Sequence, residues 1–177
     1  IVLMKYLVKL FVVTLLLLIY THASAEQKVV YIDMKFILNN SQAGKGAQDF
    51  LQKTFNENQK KFSNQENELK KEENDLLSKK TIYTAEEYKQ KSDELRKKVI
   101  SYQSERRKSL EKITKQRADA RQTLLKTLDP ILDNYIKENN ISVVIDKKNI
   151  IGGQTNLDIT KIIVEKLNGK LPSLNLK

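Results

Sequence analysis

Three aspartates, one glycine-lysine turn and one dense basic stretch are the residues of this 177-residue chain whose types and spacing could support chemistry. Asp33, Asp146 and Asp158 stand at the ends of short runs. Paired carboxylates can hold a hard cation or trade a proton, but that work needs convergent partners. A lone aspartate where a strand ends or a helix begins serves more simply to cap backbone N–H groups. The segment Ser41-Gln42-Ala43-Gly44-Lys45-Gly46 invites a phosphate-loop reading. Such a loop needs a glycine five residues ahead of Gly-Lys and a Ser or Thr after the lysine. Here Gly46 follows Lys45 and Asn40 stands near the first glycine's place. Ser41 as the N-cap of a long helix is the better reading.

The remaining routes to catalysis are closed by composition. The chain has no cysteine and one histidine, His22. That histidine falls in a segment with the marks of an export leader: Lys5 and Lys9, the apolar run Leu10–Tyr20, and the small-x-small pattern Ala23-Ser24-Ala25. The run is too short to span a bilayer, which takes roughly 20 residues. Met4 reads as the natural start, residues 1–25 as a cleaved signal peptide, and Glu26 as the mature N-terminus. The mature chain then has neither His nor Cys, which removes the soft metal ligands, the commonest general base and the thiol nucleophile. No enzyme activity, metal or cofactor is expected.

The basic stretch is more informative. Between Leu95 and Lys126 there are eleven Lys/Arg and three acids, whereas residues 42–80 hold eight Lys and seven acids. Such an imbalance favours an anionic counterpart, whether an acidic unfolded chain, anionic lipid headgroups or nucleic acid. Arg106, Arg107, Lys108, Lys112 and Lys115 are its densest part.

Long helices must carry these groups. Phe55, Phe62, Leu69 and Leu76 recur every seven residues, one column of a coiled coil. The second column is polar, at Asn58, Gln65 and Glu72 or at Gln59, Glu66 and Glu73, so the seam is only half made. Residues 78–83 break the column, and Thr84-Ala85-Glu86-Glu87 is a capping box that opens a second helix. Leu95, Val99, Tyr102, Leu110, Ile113, Leu124 and Leu128 step there with an eleven-residue period, and Arg106, Arg117 and Arg121 occupy the slots that would complete it. The expected result is an antiparallel hairpin over 42–129, about 55–60 Å long. Phe55 and Phe62 should pack near its base, Ile82 and Tyr83 should be exposed at its tip, and the return helix should bend at Pro130.

Residues 26–41 and 130–177 are expected to form the body. Strand signals lie at Lys28–Asp33, Ile141–Asp146 and Asn149–Ile151, with a turn at Gly152-Gly153. A last helix should run from Asp158 to Leu167, capped by Asp158, stapled by Leu157 and Ile162, and ended by Asn168-Gly169, with a loose tail beyond. Both faces of the first strand are apolar, and a body this small buries little surface by itself. A second copy of the chain is therefore the expected cover, across Val29, Val30, Tyr31 and Ile32 and across Val143, Val144 and Ile145. The fold class is α+β: a small β-rich oligomerisation body with a long protruding helical hairpin.

The order of a leader, KVVYIDMKFILNNSQAGKGAQ opening a long charged helix, DPILDNYIKENN closing the return helix, then ISVVIDKKNII and LDITKIIVEKLN resembles the OmpH/Skp family of periplasmic chaperones. The resemblance spans the mature chain and is most specific at its two ends. It implies a periplasmic homotrimer whose helical arms enclose a cavity that holds unfolded outer-membrane β-barrel proteins without ATP. Client contacts are then expected along the arm at Phe55, Phe62, Leu69, Leu76, Ile82, Tyr83, Tyr88, Leu95 and Tyr102, with Arg106, Arg107, Lys108, Lys112 and Lys115 supplying charge. Two other classes fit parts of the sequence: a basic coiled-coil envelope adaptor, and a protein that binds nucleic acid or anionic lipid. Export and the absence of a base-reading motif speak against specific nucleic-acid binding, and the half-polar seam speaks against a rod.

Overall fold

The computed structural model describes residues 27–176 together with Met4, Tyr6 and Lys9. Apart from those three positions the leader lies outside the described residues, as do its cleavage pattern, His22 and Glu26.

Strand β1, Lys28–Ile32, pairs in parallel with β2, Ile141–Asp146, in the register Val29 to Val143 through Ile32 to Asp146. A parallel pair cannot be closed by a tight turn and needs a long crossover. Here the crossover is the whole helical arm. Asp33 ends β1 and starts helix α1, Met34–Asn40, by accepting the Phe36 N–H at 2.8 Å. The sequence reading had no helix there, although α1 buries Ile37 and Leu38.

Helix α2, Gln42–Ser78, begins after Ser41, whose buried hydroxyl accepts the Gly44 N–H at 3.2 Å. The Gln42 N–H is taken by Asn168 Oδ1 at 2.7 Å, so the last helix helps to cap the arm. A Cβ at residue 44 would run into the Leu38 carbonyl. The glycine of the Gly-Lys-Gly run thus lets α1 turn sharply into α2, and phosphate need not be invoked. Helix α3, Ala85–Glu138, opens on the expected capping box and continues through Pro130. It ends at Asn139, and Asn140 takes a left-handed φ of 51° to deliver the chain to β2.

The core of the body gathers Val30 and Ile32 of β1, Ile37 and Leu38 of α1, Ile141 of β2, and Ile159, Ile163 and Leu167. Leu124 and Leu128 join it from within the stretch read as arm. The last three core residues belong to or precede helix α4, Thr160–Lys170. Its start differs from the expected one. Ile159 is the N-cap, Asp158 instead accepts the Thr160 N–H at 2.9 Å, and Ile162 stands exposed. The helix also runs through Asn168 and Gly169 to Lys170, because side chains on both sides of that pair pack inward. Beyond it Leu171 and Leu174 rest on the core, so this part of the tail is not loose.

Two further expectations fail. Asn149–Ile151 is no strand: Lys147–Asn149 is a 3-10 turn capped by Asp146, Ile151 is fully exposed, and Gly152 and Gly153 follow as irregular chain. The outer face of β1 is also less bare than its apolar pattern suggested. Tyr31 is covered from within the chain by Gly153 and donates its hydroxyl to the Gln154 carbonyl at 3.2 Å.

Candidate functional site

Helices α2 and α3 run antiparallel along the arm. Lys61 meets Glu105 at 3.7 Å, Phe62 packs edge-on against Tyr102 at 6.0 Å between centroids, and Lys98 meets Glu72 at 2.7 Å. Partner numbers fall on α3 as they rise on α2, which fixes the direction. Phe62 is buried, while Leu69, Leu76, Tyr88, Leu95 and Tyr102 are half-buried along the seam. Seam chemistry is as mixed as the heptad column implied. Gln65 Oε1 is buried there without a hydrogen-bond partner.

Two members of the expected columns are not inside. Phe55 is 40% exposed and Leu110 47% exposed. A seven-residue column on one helix and an eleven-residue column on the other cannot stay face to face over many turns. Where they slip, small or polar residues meet. Asn58 and Ser109 line one hollow of about 470 Å³, and Phe55, Phe62, Tyr102 and Leu110 form its apolar walls. Arg106 and Glu66 stand at its rim. Four sequence candidates, Phe55, Phe62, Tyr102 and Arg106, are therefore brought together, and Leu110, an apolar position of the return-helix column not expected among the client contacts, joins them.

Charge at this hollow is structured. Glu66 accepts from Lys70 at 2.8 Å and from the Tyr102 hydroxyl at 3.3 Å. The Lys70 bond and its positive charge hold the Glu66 carboxyl below the usual glutamate range, with smaller help from Tyr102 and Arg106. Arg106, Arg107, Lys108, Lys112 and Lys115 are all exposed. Of the basic side chains from Leu95 to Lys126, only Lys98 forms an ion pair among the described residues. The basic stretch is therefore free to act outward.

The tip separates its two candidates. Ile82 is 76% exposed, but Tyr83 is half-buried with Lys91 Nζ 5.3 Å from its ring centre. Tyr88 is likewise covered by Lys80 at 5.7 Å. The body candidates also divide. Val30 and Ile32 are core and Tyr31 is covered, whereas Val29 and Val143, cross-strand partners, are 39% and 47% exposed. Val144 and Ile145 are half-buried. Among the described residues no cluster of His, Asp or Glu could hold a metal, and no helix is long and apolar enough to cross a membrane.

Residues 28–167 match the family model described as outer membrane protein (OmpH-like). The fold matches the crystal structure of a candidate outer membrane chaperone (OmpH-like) from Caulobacter crescentus CB15, with a TM-score of 0.78 and 18% identity. That match covers 89% of this chain and 93% of the other. No curated protein sequence matches the chain.

Proposed function

The chain belongs to the OmpH-like family of outer membrane proteins, and from that premise we propose that it is a periplasmic chaperone that holds unfolded outer-membrane β-barrel proteins without ATP. The observation that carries this reading is the arm itself: a half-polar seam that leaves apolar side chains partly open beside a basic face with few internal partners. A fully zipped coiled coil would spend those side chains on itself. Scattered apolar contacts each hold weakly, and an uncompensated positive field draws acidic chains in from a distance. Many weak contacts keep a client soluble without fixing its conformation, which suits a flexible and promiscuous surface.

The body supports the second half of the proposal, a homotrimer whose arms surround the client. Among the described residues the sheet has two strands, with Asp158 bridged to Tyr31 beside β1, and Val29 and Val143 present apolar surface on its outer face. Exposed strand edges and apolar sheet faces invite pairing with a second copy. Residues 26–41 and 130–177 are proposed as the association body and 42–129 as the working arm, with anionic lipid headgroups as secondary partners of its basic face.

The reading is tested by diluting a urea-unfolded β-barrel protein into buffer with and without the purified mature chain, in the absence of nucleotide. Suppressed light scattering at near-stoichiometric chain is the expected result. Unchanged aggregation together with tight, sequence-blind binding of DNA would instead favour the nucleic-acid reading.

A further inference from the structure

The hollow between Asn58 and Ser109 has a counterpart nearer the body. There Ala47 of α2 and Ala120 of α3 are too small to fill the seam, and a gap of about 440 Å³ opens over Leu51 and Leu124. Gln48 and Gln52 form one bank, Arg117 and Arg121 the other. None of the seven ion pairs among the described residues uses either arginine.

Helix geometry relates the two hollows. At 3.6 residues per turn, Gly44, Gln48, Gln52, Phe55, Gln59 and Glu66, which line one hollow or the other, fall within about one third of the α2 circumference. The α3 lining residues Tyr102, Arg106, Leu110, Arg117, Arg121 and Leu124 cluster in the same way. Both hollows therefore open on one side of the hairpin. Gln52 and Phe55 bring them within a turn of each other on α2. From Tyr102 to Leu124 they extend over about 33 Å at 1.5 Å per residue. Along that length Arg106, Arg117 and Arg121 mark the same bank, the three positions where the eleven-residue period replaces an apolar residue by arginine.

We propose that this side of the arm is a furrow that takes one extended segment of an unfolded polypeptide, about ten residues long, carrying aromatic and acidic side chains. The length follows from the furrow: an extended chain rises about 3.3 Å per residue, so 33 Å accommodates about ten. A strand of a membrane β-barrel is of that length, about 9–11 residues. The side-chain chemistry follows from the lining. Phe55, Phe62 and Leu110 at one hollow, and Leu51 and Leu124 at the other, accept apolar rings, while the arginine bank accepts carboxylates in paired, planar fashion. The opposite bank offers amides from Gln48, Gln52 and Gln59; Gln48 and Gln52 donate one N–H each, to Asn39 and Asn56 respectively, which leaves a second N–H and the carbonyl oxygen to bond an extended backbone. The choice of ligand class rests on the chaperone reading; the furrow itself rests on geometry.

The test uses the full mature chain and two readouts. A photo-reactive phenylalanine analogue is placed at Gln48 or Gln59 on the furrow side, or at Glu57 or Asn64, which line neither hollow. A labelled ten-residue peptide with alternating phenylalanine and aspartate serves as the probe, with a lysine-substituted version as control. The furrow predicts cross-links from Gln48 and Gln59 but not from Glu57 and Asn64. It also predicts binding, read by fluorescence anisotropy, that weakens about fivefold in Arg117→Gln/Arg121→Gln with unchanged circular dichroism. Equal cross-linking from both sides, or peptide binding indifferent to both arginines and to the peptide's charge, overturns the furrow even if the chain still prevents aggregation. Conversely, side-specific peptide capture by a chain that fails to protect an unfolded barrel protein keeps the furrow and removes the holdase reading.

Discussion

Asp158 is one of the three aspartates whose type could support chemistry, and it does structural work instead. Its carboxylate is partly buried, which disfavours ionisation, yet bonds from Thr160 and from Lys147 outweigh burial and hold it below the usual aspartate range. Lys147 Nζ lies 3.3 Å away, and the Thr160 hydroxyl in turn accepts the Asp33 N–H at 2.8 Å. One small network thus ties β1, the 3-10 turn and α4. A carboxyl whose folded pKa is depressed stabilises the fold above its unfolded pKa, and that contribution is lost as pH falls through the lower folded value. Asp158→Asn should therefore lower stability at pH 7 by about 1 kcal/mol. The difference should shrink once both states protonate the aspartate. Thermal melts of both proteins at neutral pH and well below the ordinary value of 3.8 check this. A melting-temperature gap of the same size at both would show that the charge contributes nothing.

Among the elements, the seam between α2 and α3 decides most. Asn58 lines the mid-arm hollow and Gln65 keeps a buried, unpaired oxygen, so neither contributes what a leucine would. Replacing an unsatisfied buried amide by an apolar group of similar size is neutral to stabilising. The double variant Asn58→Leu/Gln65→Leu should zip the arm, adding roughly 1–2 kcal/mol from apolar burial. Amide hydrogen exchange along α2 should slow, while protection of an unfolded β-barrel client should fall, because the open hollow is consumed by the arm itself. A stiffer arm that protects clients as well as the wild type would mean that the seam's polarity is incidental to holding.

At the scale of the whole molecule, the crossover topology separates a body from an arm that leaves it. The body's core is closed around Ile37, Leu128, Ile163 and Leu167, all fully buried within one chain. Val30 is part of that core and reports on folding, so it is a poor probe of association. Val143 is the better one, since it is half exposed in the single chain and sits beside exposed Val29 on the sheet. Val143→Asp should leave helical circular dichroism intact while static light scattering reports a monomer, because a charge buried unpaired at an interface costs several kcal/mol. An oligomer of wild-type mass in that variant would place the contact elsewhere.

Much of this was legible in the sequence because it depends on neighbours along the chain. The capping box at Thr84, the Ser41 cap and the start of β1 are local patterns, and each stands where the residues put it. The family resemblance was most specific in the segments from Lys28 and up to Leu167 that build the body, and the family match spans residues 28–167. What the sequence could not settle were relations between distant segments. Whether Leu110 faces in or out depends on how two helices of unequal period slide past each other. Whether the outer face of Tyr31 is bare depends on a loop more than a hundred residues away, and Leu171 and Leu174 join the core only because α4 folds back on it. A periodic pattern assigns side chains to a face of an element, but it carries no information about which neighbour, if any, arrives to cover that face.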